Sequence, residues 1–165
     1  MEQIFNKLKK NLDDFEQTLK EVTKKKNGVI ERRDNKYVYR ETWLDDKRHG
    51  LTEWFDFEGR LKHRETNIDG EPHGVMESYF FNDGSLSSIE HWVNGKREGL
   101  STIYNQEGHP ISSYTYDKDI IFGECKFYYR NGVIKKQGKL WSSQPLGEWK
   151  TFDSDGNLLD TINFD

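Results

Sequence analysis

The 165-residue chain has little of what most folded domains contain. It has one cysteine, Cys125, three prolines and two methionines, and 33% of its residues are hydrophobic. A single cysteine excludes an intramolecular disulfide framework and is compatible with a reducing compartment. The apolar fraction is too low for a thick aliphatic core, whereas aromatic residues make up 14% of the chain. Because each aromatic ring buries about 150–250 Å², this composition favours a thin sheet held together by rings.

Long apolar runs are also absent. No stretch approaches the roughly 18 consecutive apolar residues that mark a membrane span. The N-terminal sequence MEQIFNKLKKNLDDFEQ has no continuous apolar segment of the kind found in secretory signals. We therefore expect no integral membrane association and a cytoplasmic location.

Positive charge is scarce outside the N-terminal segment. Seven lysines against five acidic residues give residues 1–27 a net charge of +2, which leaves −6 for the rest of a chain whose total is −4. An acidic body argues against a nucleic acid backbone as the main partner. A basic protein is the more suitable partner for such a surface.

The first 26 residues differ from the rest of the chain. Their apolar residues recur at steps of 1, 3 or 4, which predicts an amphipathic helix over residues 1–26 that ends at Asn27-Gly28. Such a helix is marginal in water by itself, so we expect its apolar stripe to pack against another surface and to cap the N-terminal end of the fold. The stripe consists of Ile4, Phe5, Leu8, Leu12, Phe15, Leu19 and Val22.

The sequence from residue 28 to residue 165 repeats with a fixed period. In five units, 24 or 25 residues apart, a glycine is followed five residues later by an aromatic residue. A period in this range predicts a repeat architecture. The pairs are Gly50 and Phe55, Gly74 and Tyr79, Gly99 and Tyr104, Gly123 and Tyr128, and Gly147 and Phe152.

Turn signals divide each unit into two strands. A second glycine, usually preceded by Asp, Asn or Glu, marks one turn, and dipeptides such as Asp69-Gly70 and Asn94-Gly95 mark the other. The sequence therefore predicts a mainly β fold, an elongated single-layer antiparallel meander of five β-hairpin repeats with an N-terminal helix. The units lie near residues 46–69, 70–93, 94–117, 118–141 and 142–165, after an incomplete unit in residues 29–45.

Two rows of side chains are expected to recur along this meander. The aromatic residue of each unit should flank the second turn together with the residue two places after the second glycine, as Phe55 does with Leu61. A further row lies seven residues before each unit glycine. Its members are Trp43, Asn67, Trp92, Tyr116 and Leu140, and Phe164 continues the row.

The units read G-x-x-x-x-[YF] followed by [DN]-G-x-L, as in GECKFYYRNGVI and GEWKTFDSDGNL, with linkers such as NGKREG. Over about residues 46–160 this pattern resembles the bacterial variant of the MORN repeat. The resemblance implies an elongated sheet of consecutive hairpins. Many bacterial proteins of this kind look like antitoxin or immunity proteins encoded beside toxins, whereas eukaryotic relatives are scaffolds or lipid binders. The family has no shared catalytic residue, and its usual aromatic residue two places after the unit glycine is kept here only as Trp149.

Residues with catalytic or metal-binding potential are explained more simply by the repeat. His49 and His73 occupy equivalent positions about 9–10 Å apart, and a zinc ion would need both to lean together with two more ligands. Residues 153–157 resemble the start of a calcium loop, but the closing glutamate is missing. Cys125 has no histidine in its unit and is expected to be a core thiol. We therefore predict no enzymatic activity, no metal and no cofactor.

Aromatic and acidic residues are the better candidates for binding. Trp54, Phe127, Trp141 and Trp149 are expected to share one face with Ile103 and Ile111, and tryptophan is enriched at interface hot spots. Acidic residues between the strands could steer a basic partner. Alternatively, the helix covers the rings or the rings pack on one another along the sheet, and the acids only keep the sheet soluble. The predicted partner-binding residues are Trp54, Trp92, Phe127, Trp141, Trp149, Glu77, Glu124 and Glu148.

These observations support two functions. The first is a non-catalytic protein-binding repeat protein of the immunity or antitoxin type, whose rigid surface binds a cognate toxin and occludes its active site. The alternative is a scaffold or a lipid-binding module at the membrane surface, bound through the lysines and apolar stripe of the helix. Asp13, Asp14 and Glu16 interrupt the basic face of the helix and disfavour the alternative.

Overall fold

The computed structural model describes the backbone of residues 2–164 and the side chains of these residues except 2–5, 8 and 18–23. Within these residues one helix, α1 (Glu2–Lys24), precedes a fourteen-stranded sheet. The strands are β1 (Gly28–Arg33), β2 (Val38–Leu44), β3 (Lys47–Phe55), β4 (Leu61–Ile68), β5 (Glu71–Pro72), β6 (Gly74–Tyr79), β7 (Leu86–Val93), β8 (Lys96–Arg97), β9 (Gly99–Tyr104), β10 (Pro110–Asp117), β11 (Ile120–Tyr128), β12 (Ile134–Trp141), β13 (Gln144–Phe152) and β14 (Leu158–Phe164).

The sheet is an open meander in which strands that follow one another in sequence lie side by side. Its order is β1, β2, β3, β4, β6, β7, β9, β10, β11, β12, β13 and β14, with β5 paired to β4 and β8 paired to β7. All pairs are antiparallel. The predicted mainly β hairpin meander with an N-terminal helix is therefore confirmed.

The turns between units are tight hairpin turns with left-handed backbone at both central residues. Asp69 and Gly70 have φ of 52° and 95°, and Asn94 and Gly95 have φ of 49° and 76°. These values are typical of type I′ turns, which suit the twist of a hairpin and favour Asn and Gly. The same conformation occurs at Asp45-Asp46, Lys118-Asp119 and Ser142-Ser143.

Each unit glycine lies in an irregularity of the ladder that lets the chain pass from one hairpin to the next. Between β12 and β13, Gln137 pairs with Lys150 while Lys139 pairs with Leu146, so β13 has two more residues than β12 over this interval. Gly147, which lies in the extra segment, has a φ of 62°. A bulge of this kind bends a strand and increases its twist. Equivalent shifts occur between β2 and β3 and between β10 and β11.

Both predicted rows are confirmed by the register. The unit aromatics pair with the predicted residues after the second turn, as in Phe55 with Leu61. Each member of the second row pairs with the unit glycine of the preceding unit. The pairs of this second row are Trp43 with Gly28, Asn67 with Gly50, Trp92 with Gly74, Tyr116 with Gly99, Leu140 with Gly123 and Phe164 with Gly147.

Gly28 is thus a unit glycine, and the N-terminal hairpin is more complete than the sequence indicated. β1 and β2 pair along six residues, and Gly28 has the positive φ, 84°, of the other unit glycines. The expected incomplete unit at residues 29–45 is a full hairpin. The pattern missed it because Arg33 replaces the aromatic residue and because the interval to Gly50 is 22 residues.

The two faces of the sheet differ in burial, and we name them face A and face B. Face A carries Trp54, Glu65 and Cys125, and face B carries Arg64 and Trp141. The best-buried row lies on face A, two residues after four of the unit glycines, Gly50, Gly99, Gly123 and Gly147. Within this row the exposed fraction is 0% for Thr52, 6% for Ser101, 1% for Cys125 and 5% for Trp149.

The aromatic residues that were expected to share one face do not all do so. Trp54, Phe127, Trp149 and Ile103 lie on face A, whereas the register places Trp141 on face B, opposite Phe122. Face A is also the face of Trp43 and Trp92. The expectation failed because the ladder shifts near each unit glycine and each unit aromatic change which residues lie opposite one another across the strands.

The helix is confirmed, and the residues after it are joined to the turn between β2 and β3. Lys26 and Asp46 exchange hydrogen bonds, from Lys26 N to Asp46 Oδ1 at 2.8 Å and from Asp46 N to Lys26 O at 3.2 Å. The described part of α1 has no extended contact with any strand. Leu12 and Phe15 are 58% and 62% exposed. The predicted stripe residues Ile4, Phe5, Leu8, Leu19 and Val22 lie outside the described side chains.

Candidate functional site

Four of the predicted binding residues are rings on face A that pack within the sheet. Trp54 is stacked on His63 with ring centroids 4.3 Å apart. Trp92 donates from Nε1 to Glu90 Oε2 at 3.3 Å. Trp149 is buried and donates to the Lys139 carbonyl at 3.1 Å. Phe127 makes an edge-to-face contact with Tyr114. The contacts of Trp54, Phe127 and Trp149 link neighbouring strands, whereas that of Trp92 lies within β7.

A buried polar cluster on face A was not anticipated from the sequence. Glu65, which is 6% exposed, accepts a hydrogen bond from Asn67 Nδ2 at 3.0 Å and forms an ion pair with Arg48 at 3.2 Å. Its other oxygen is 3.3 Å from Nε2 of His63. Asn67 also donates to Thr52 Oγ1 at 3.3 Å. Because buried charges are costly without partners, this cluster is best described as part of the core of β3 and β4.

Face B carries a ladder of alternating charges across the first half of the sheet. Arg64 forms ion pairs with Glu53 at 3.1 Å and with predicted binding residue Glu77 at 3.3 Å. Glu77 also accepts a hydrogen bond from the Tyr79 hydroxyl at 2.8 Å. Arg40 continues the ladder at 3.9 Å from Glu53. Glu77 is therefore already paired inside the sheet.

The remaining three predicted residues come together on face B, over β11, β12 and β13. Trp141 is 59% exposed and makes an edge-to-face contact with Phe122, at 5.0 Å between ring centroids and 82° between planes. Glu124 lies two residues after Phe122 in β11 and therefore on the same face, and Glu148 lies on β13. We name this surface the Trp141 patch. It consists of Phe122, Glu124, Trp141, Leu146 and Glu148.

A shallow depression of about 530 Å³ adjoins these residues. Glu124 and Glu148 line it together with Lys126, Lys139 and Lys150. Glu148 and Lys150 form an ion pair at 2.8 Å. The depression lies beside the register shift between β12 and β13, and the backbone of Gly138 forms part of its lining.

The Trp141 patch is suited to binding by contact and not to chemistry. It offers two half-exposed rings and an aliphatic side chain beside charges of both signs. Aromatic anchors with a polar surround are the usual composition of protein interfaces. No group of His, Cys, Asp or Glu in the described part of the chain has the arrangement that holds a metal ion.

His49 and His73, which occupy equivalent positions in the repeat, contact the turns between units. Nδ1 of His49 lies 3.5 Å from the amide nitrogen of Asp69, and Nδ1 of His73 lies 3.5 Å from that of Asn94. In the equivalent position Asn27 Oδ1 accepts from Asp45 N at 3.0 Å. The side chain before each of these unit glycines therefore faces the first residue of the next turn.

Cys125 lies in the core as expected. It is 1% exposed and packs with Leu140 and Trp149. Burial raises the pKa of its thiol. A thiol that is both buried and protonated is a poor nucleophile.

Comparison with known proteins identifies the repeat in the last units. The family described as the MORN repeat variant matches residues 123–141 and 145–165, which include most of β11 to β14 and most of the Trp141 patch. MORN repeats are generally modules that bind proteins or membranes, which fits a non-catalytic binding role. No curated protein sequence matches the chain. No helix within residues 2–164 is long and apolar enough to cross a membrane.

Two solved structures show a weak overall likeness. The crystal structure of TarM aligns with a TM-score of 0.39 and 16% identity, over 78% of this chain and 23% of that one. A crystal structure of an S. aureus TarM mutant in complex with Fondaparinux, alpha-GlcNAc-glycerol and UDP aligns with a TM-score of 0.40 and 15% identity, over 79% of this chain and 23% of that one. The chain thus spans about a quarter of the length of these proteins.

Proposed function

We propose that the chain is a non-catalytic protein-binding module that engages its partner through the Trp141 patch. The observation that supports this most directly is the 59% exposure of Trp141 beside the half-exposed ring of Phe122. Leaving such rings in water is unfavourable, and a partner that covers them gains the full hydrophobic contribution. Glu124 and Glu148 lie beside Lys126, Lys139 and Lys150, so the surround of the two rings suits a partner with charges of both signs next to an apolar projection.

The finer proposal is an immunity or antitoxin role, in which a rigid sheet covers the active site of a cognate toxin. A preformed sheet surface loses little conformational entropy on binding, which favours a tight complex. The acidic body of the chain, with a net charge of −6 outside residues 1–27, supports a basic partner.

The test uses the protein encoded next to this gene, expressed alone and together with the chain. We expect the neighbour to stop growth when expressed alone, co-expression to restore growth, and the two purified proteins to form a complex. Trp141→Ala should weaken that complex at least about 30-fold, as for a hot-spot residue. Phe57→Ala is the matched control, because Phe57 is 62% exposed in the loop between β3 and β4, outside the patch.

A harmless neighbour, or one that the chain does not bind, would remove the immunity role. If the complex forms but Trp141→Ala and Phe57→Ala affect it equally, the Trp141 patch is not the binding surface. Charge reversal by Glu124→Lys with Glu148→Lys should mainly slow association, and the effect should shrink as salt is added.

A further inference from the structure

A second apolar surface lies on face B at the other end of the sheet. It runs from β2 to β9 along the edge formed by the turns between units. Its members are alternately the last residue of a strand and the residue after a unit glycine. Each of its side chains is 40–52% exposed. We name it the aliphatic band. It consists of Leu44, Leu51, Ile68, Val75, Val93 and Leu100.

Helix α1 carries a further exposed apolar surface among its described side chains. Leu12 and Phe15 lie on its predicted stripe and are exposed, and the described part of α1 has no extended contact with any strand. Two exposed apolar surfaces in one chain, a helical stripe and a flat band, have matching shapes. We propose that α1 of one copy docks on the aliphatic band of a second copy, so that two chains exchange their helices around a two-fold axis.

The dimensions of the two surfaces agree. A helix of 23 residues is about 35 Å long at roughly 1.5 Å per residue. The band crosses six neighbouring strands, which at about 4.8 Å per strand is roughly 24 Å. One helix therefore reaches from one end of the band to the other, with about two turns to spare.

The attachment of α1 explains why the helix comes from a second copy. Lys26 is hydrogen-bonded to Asp46, and Asn27 accepts from the amide of Asp45. The Nζ atom of Lys26 lies 4.4 Å from the ring centroid of Trp43, which is on face A. The segment that follows α1 thus contacts the face opposite the band. Folding back onto its own band would require α1 to cross the turn edge and break these contacts.

Charge also favours this pairing. Residues 1–27 have a net charge of +2, and the rest of the chain has −6. Lys7, Lys9 and Lys10 are exposed on the helix. Beside the band, Asp69 and Glu71 are exposed together with Lys47 and Lys96, which pair with Leu44 and Val93, so the attraction rests on the net charges of the two parts. In a two-fold arrangement the contact between the positive helix of one copy and the negative sheet of the other occurs twice, as an isologous interface requires. The surface is separate from the Trp141 patch, so the inference goes beyond the proposed function.

The experiment measures the molar mass of the full chain by sedimentation equilibrium across a range of concentrations. We expect the wild-type chain to be a dimer at micromolar concentration. Leu12→Glu with Phe15→Glu should raise the dissociation constant at least a hundredfold. The matched control, Asn6→Glu with Gln17→Glu, adds the same charge on the opposite side of the helix and should change it less than threefold.

Mixing identifies which surfaces meet. Val75→Glu with Leu100→Glu disables the band but leaves α1 intact, so this variant should be monomeric alone. Mixed with the Leu12→Glu and Phe15→Glu variant, it should form a heterodimer with one helix–band contact. Far-ultraviolet circular dichroism checks that both variants are folded, and the helix variant keeps the test valid if the band variant unfolds.

A wild-type chain that stays monomeric at 100 micromolar overturns the proposal. It is overturned equally if α1 is then protected on its own band or binds vesicles of anionic phospholipid. A dimer that persists in the Leu12→Glu and Phe15→Glu variant also contradicts it. Trp141→Ala should leave the dimer unchanged, so failure of the toxin-binding test and failure of this one are distinguishable.

Discussion

The space beside Gly138 that a side chain would fill is occupied by the ring of Trp149. A side chain at this position would overlap the indole ring of Trp149, which lies over the backbone of β12. Gly138 does not have the positive φ that explains the turn glycines. Its role is to make room for a ring in the best-buried row of the sheet.

Gly138→Ala should therefore reduce the free energy of unfolding by about 1–3 kcal/mol, because the added methyl group displaces the indole. Urea denaturation of the purified chain measures the change. The control repeats the substitution in a Trp149→Leu background, where the smaller side chain should make the cost of the methyl group lower. Equal costs in both backgrounds would show that the ring is not the obstacle.

Glu65 is the buried carboxylate on which acid stability depends most directly. Burial by itself raises its pKa, but hydrogen bonds from His63 and Asn67 and the charge of Arg48 outweigh burial, so the pKa is lowered. A lowered pKa in the folded state contributes stability that is complete above the ordinary carboxyl pKa, about 4.3. That contribution is lost as the pH falls through the lowered pKa of the folded state.

We expect Glu65→Gln to destabilise the chain at pH 7 by about 1–3 kcal/mol, since the amide has no charge to pair with Arg48 and one acceptor oxygen in place of two. Between pH 5 and pH 3 the wild-type chain should lose more stability than Glu65→Gln does. Urea midpoints measured across this range give the comparison. Glu58→Gln, in an exposed loop, should follow the wild-type curve. Parallel curves for wild type and Glu65→Gln would contradict the assignment.

At the scale of elements, the repeated unit is a hairpin joined to the next by a left-handed turn. Two of these turns contain the favoured glycine, Asp69-Gly70 and Asn94-Gly95. Ser142-Ser143 adopts the same conformation, with φ of 47° and 70°, although serine has no preference for it. The backbone therefore holds this turn at a cost that better turn residues would remove.

Replacing Ser142-Ser143 by Asn-Gly should stabilise the chain by about 0.5–1 kcal/mol, because the turn residues then favour positive φ. Differential scanning calorimetry should show a melting temperature a few degrees higher. The reciprocal change of Asn94-Gly95 to Ser-Ser should lower it. A lower melting temperature for the Asn-Gly variant would mean that the serine side chains have contacts of their own.

The molecule as a whole is a one-dimensional array, since each strand pairs only with its neighbours and the open sheet has no second layer of strands. In such arrays stability is close to a sum of unit and neighbour contributions, so damage stays local. The hydrophobic core of Cys125, Leu140 and Trp149 lies at the C-terminal end, and the polar cluster around Glu65 lies near the N-terminal end.

Gly138→Ala should accordingly increase amide hydrogen exchange in β11 to β14 and leave β2 to β4 nearly unchanged. Exchange measured by mass spectrometry on peptic peptides resolves the two regions. Wild-type protein under the same conditions is the reference, and Glu65→Gln should give the opposite distribution. Faster exchange throughout the sheet in both variants would show that the fourteen strands unfold as one unit.

The period of glycine and aromatic residues determined the architecture. It predicted the hairpins, the pairing of Phe55 with Leu61 and its equivalents, and the row from Trp43 to Phe164, because register in a hairpin follows from turn chemistry close in sequence. The helix over residues 1–26 also followed from its local pattern. Gly28 escaped notice because its unit lacks the aromatic residue.

Only the tertiary structure decided which face each side chain occupies. Ladder shifts beside the unit glycines and unit aromatics, such as that between β12 and β13, change which residues lie opposite one another, and no local pattern records how many residues each bulge contains. Trp141 therefore lies beside Phe122 on face B and not on face A with Trp54 and Trp149. The cluster around Glu65 likewise depends on β3 and β4 lying side by side, which brings together residues that are 15 or more positions apart in sequence.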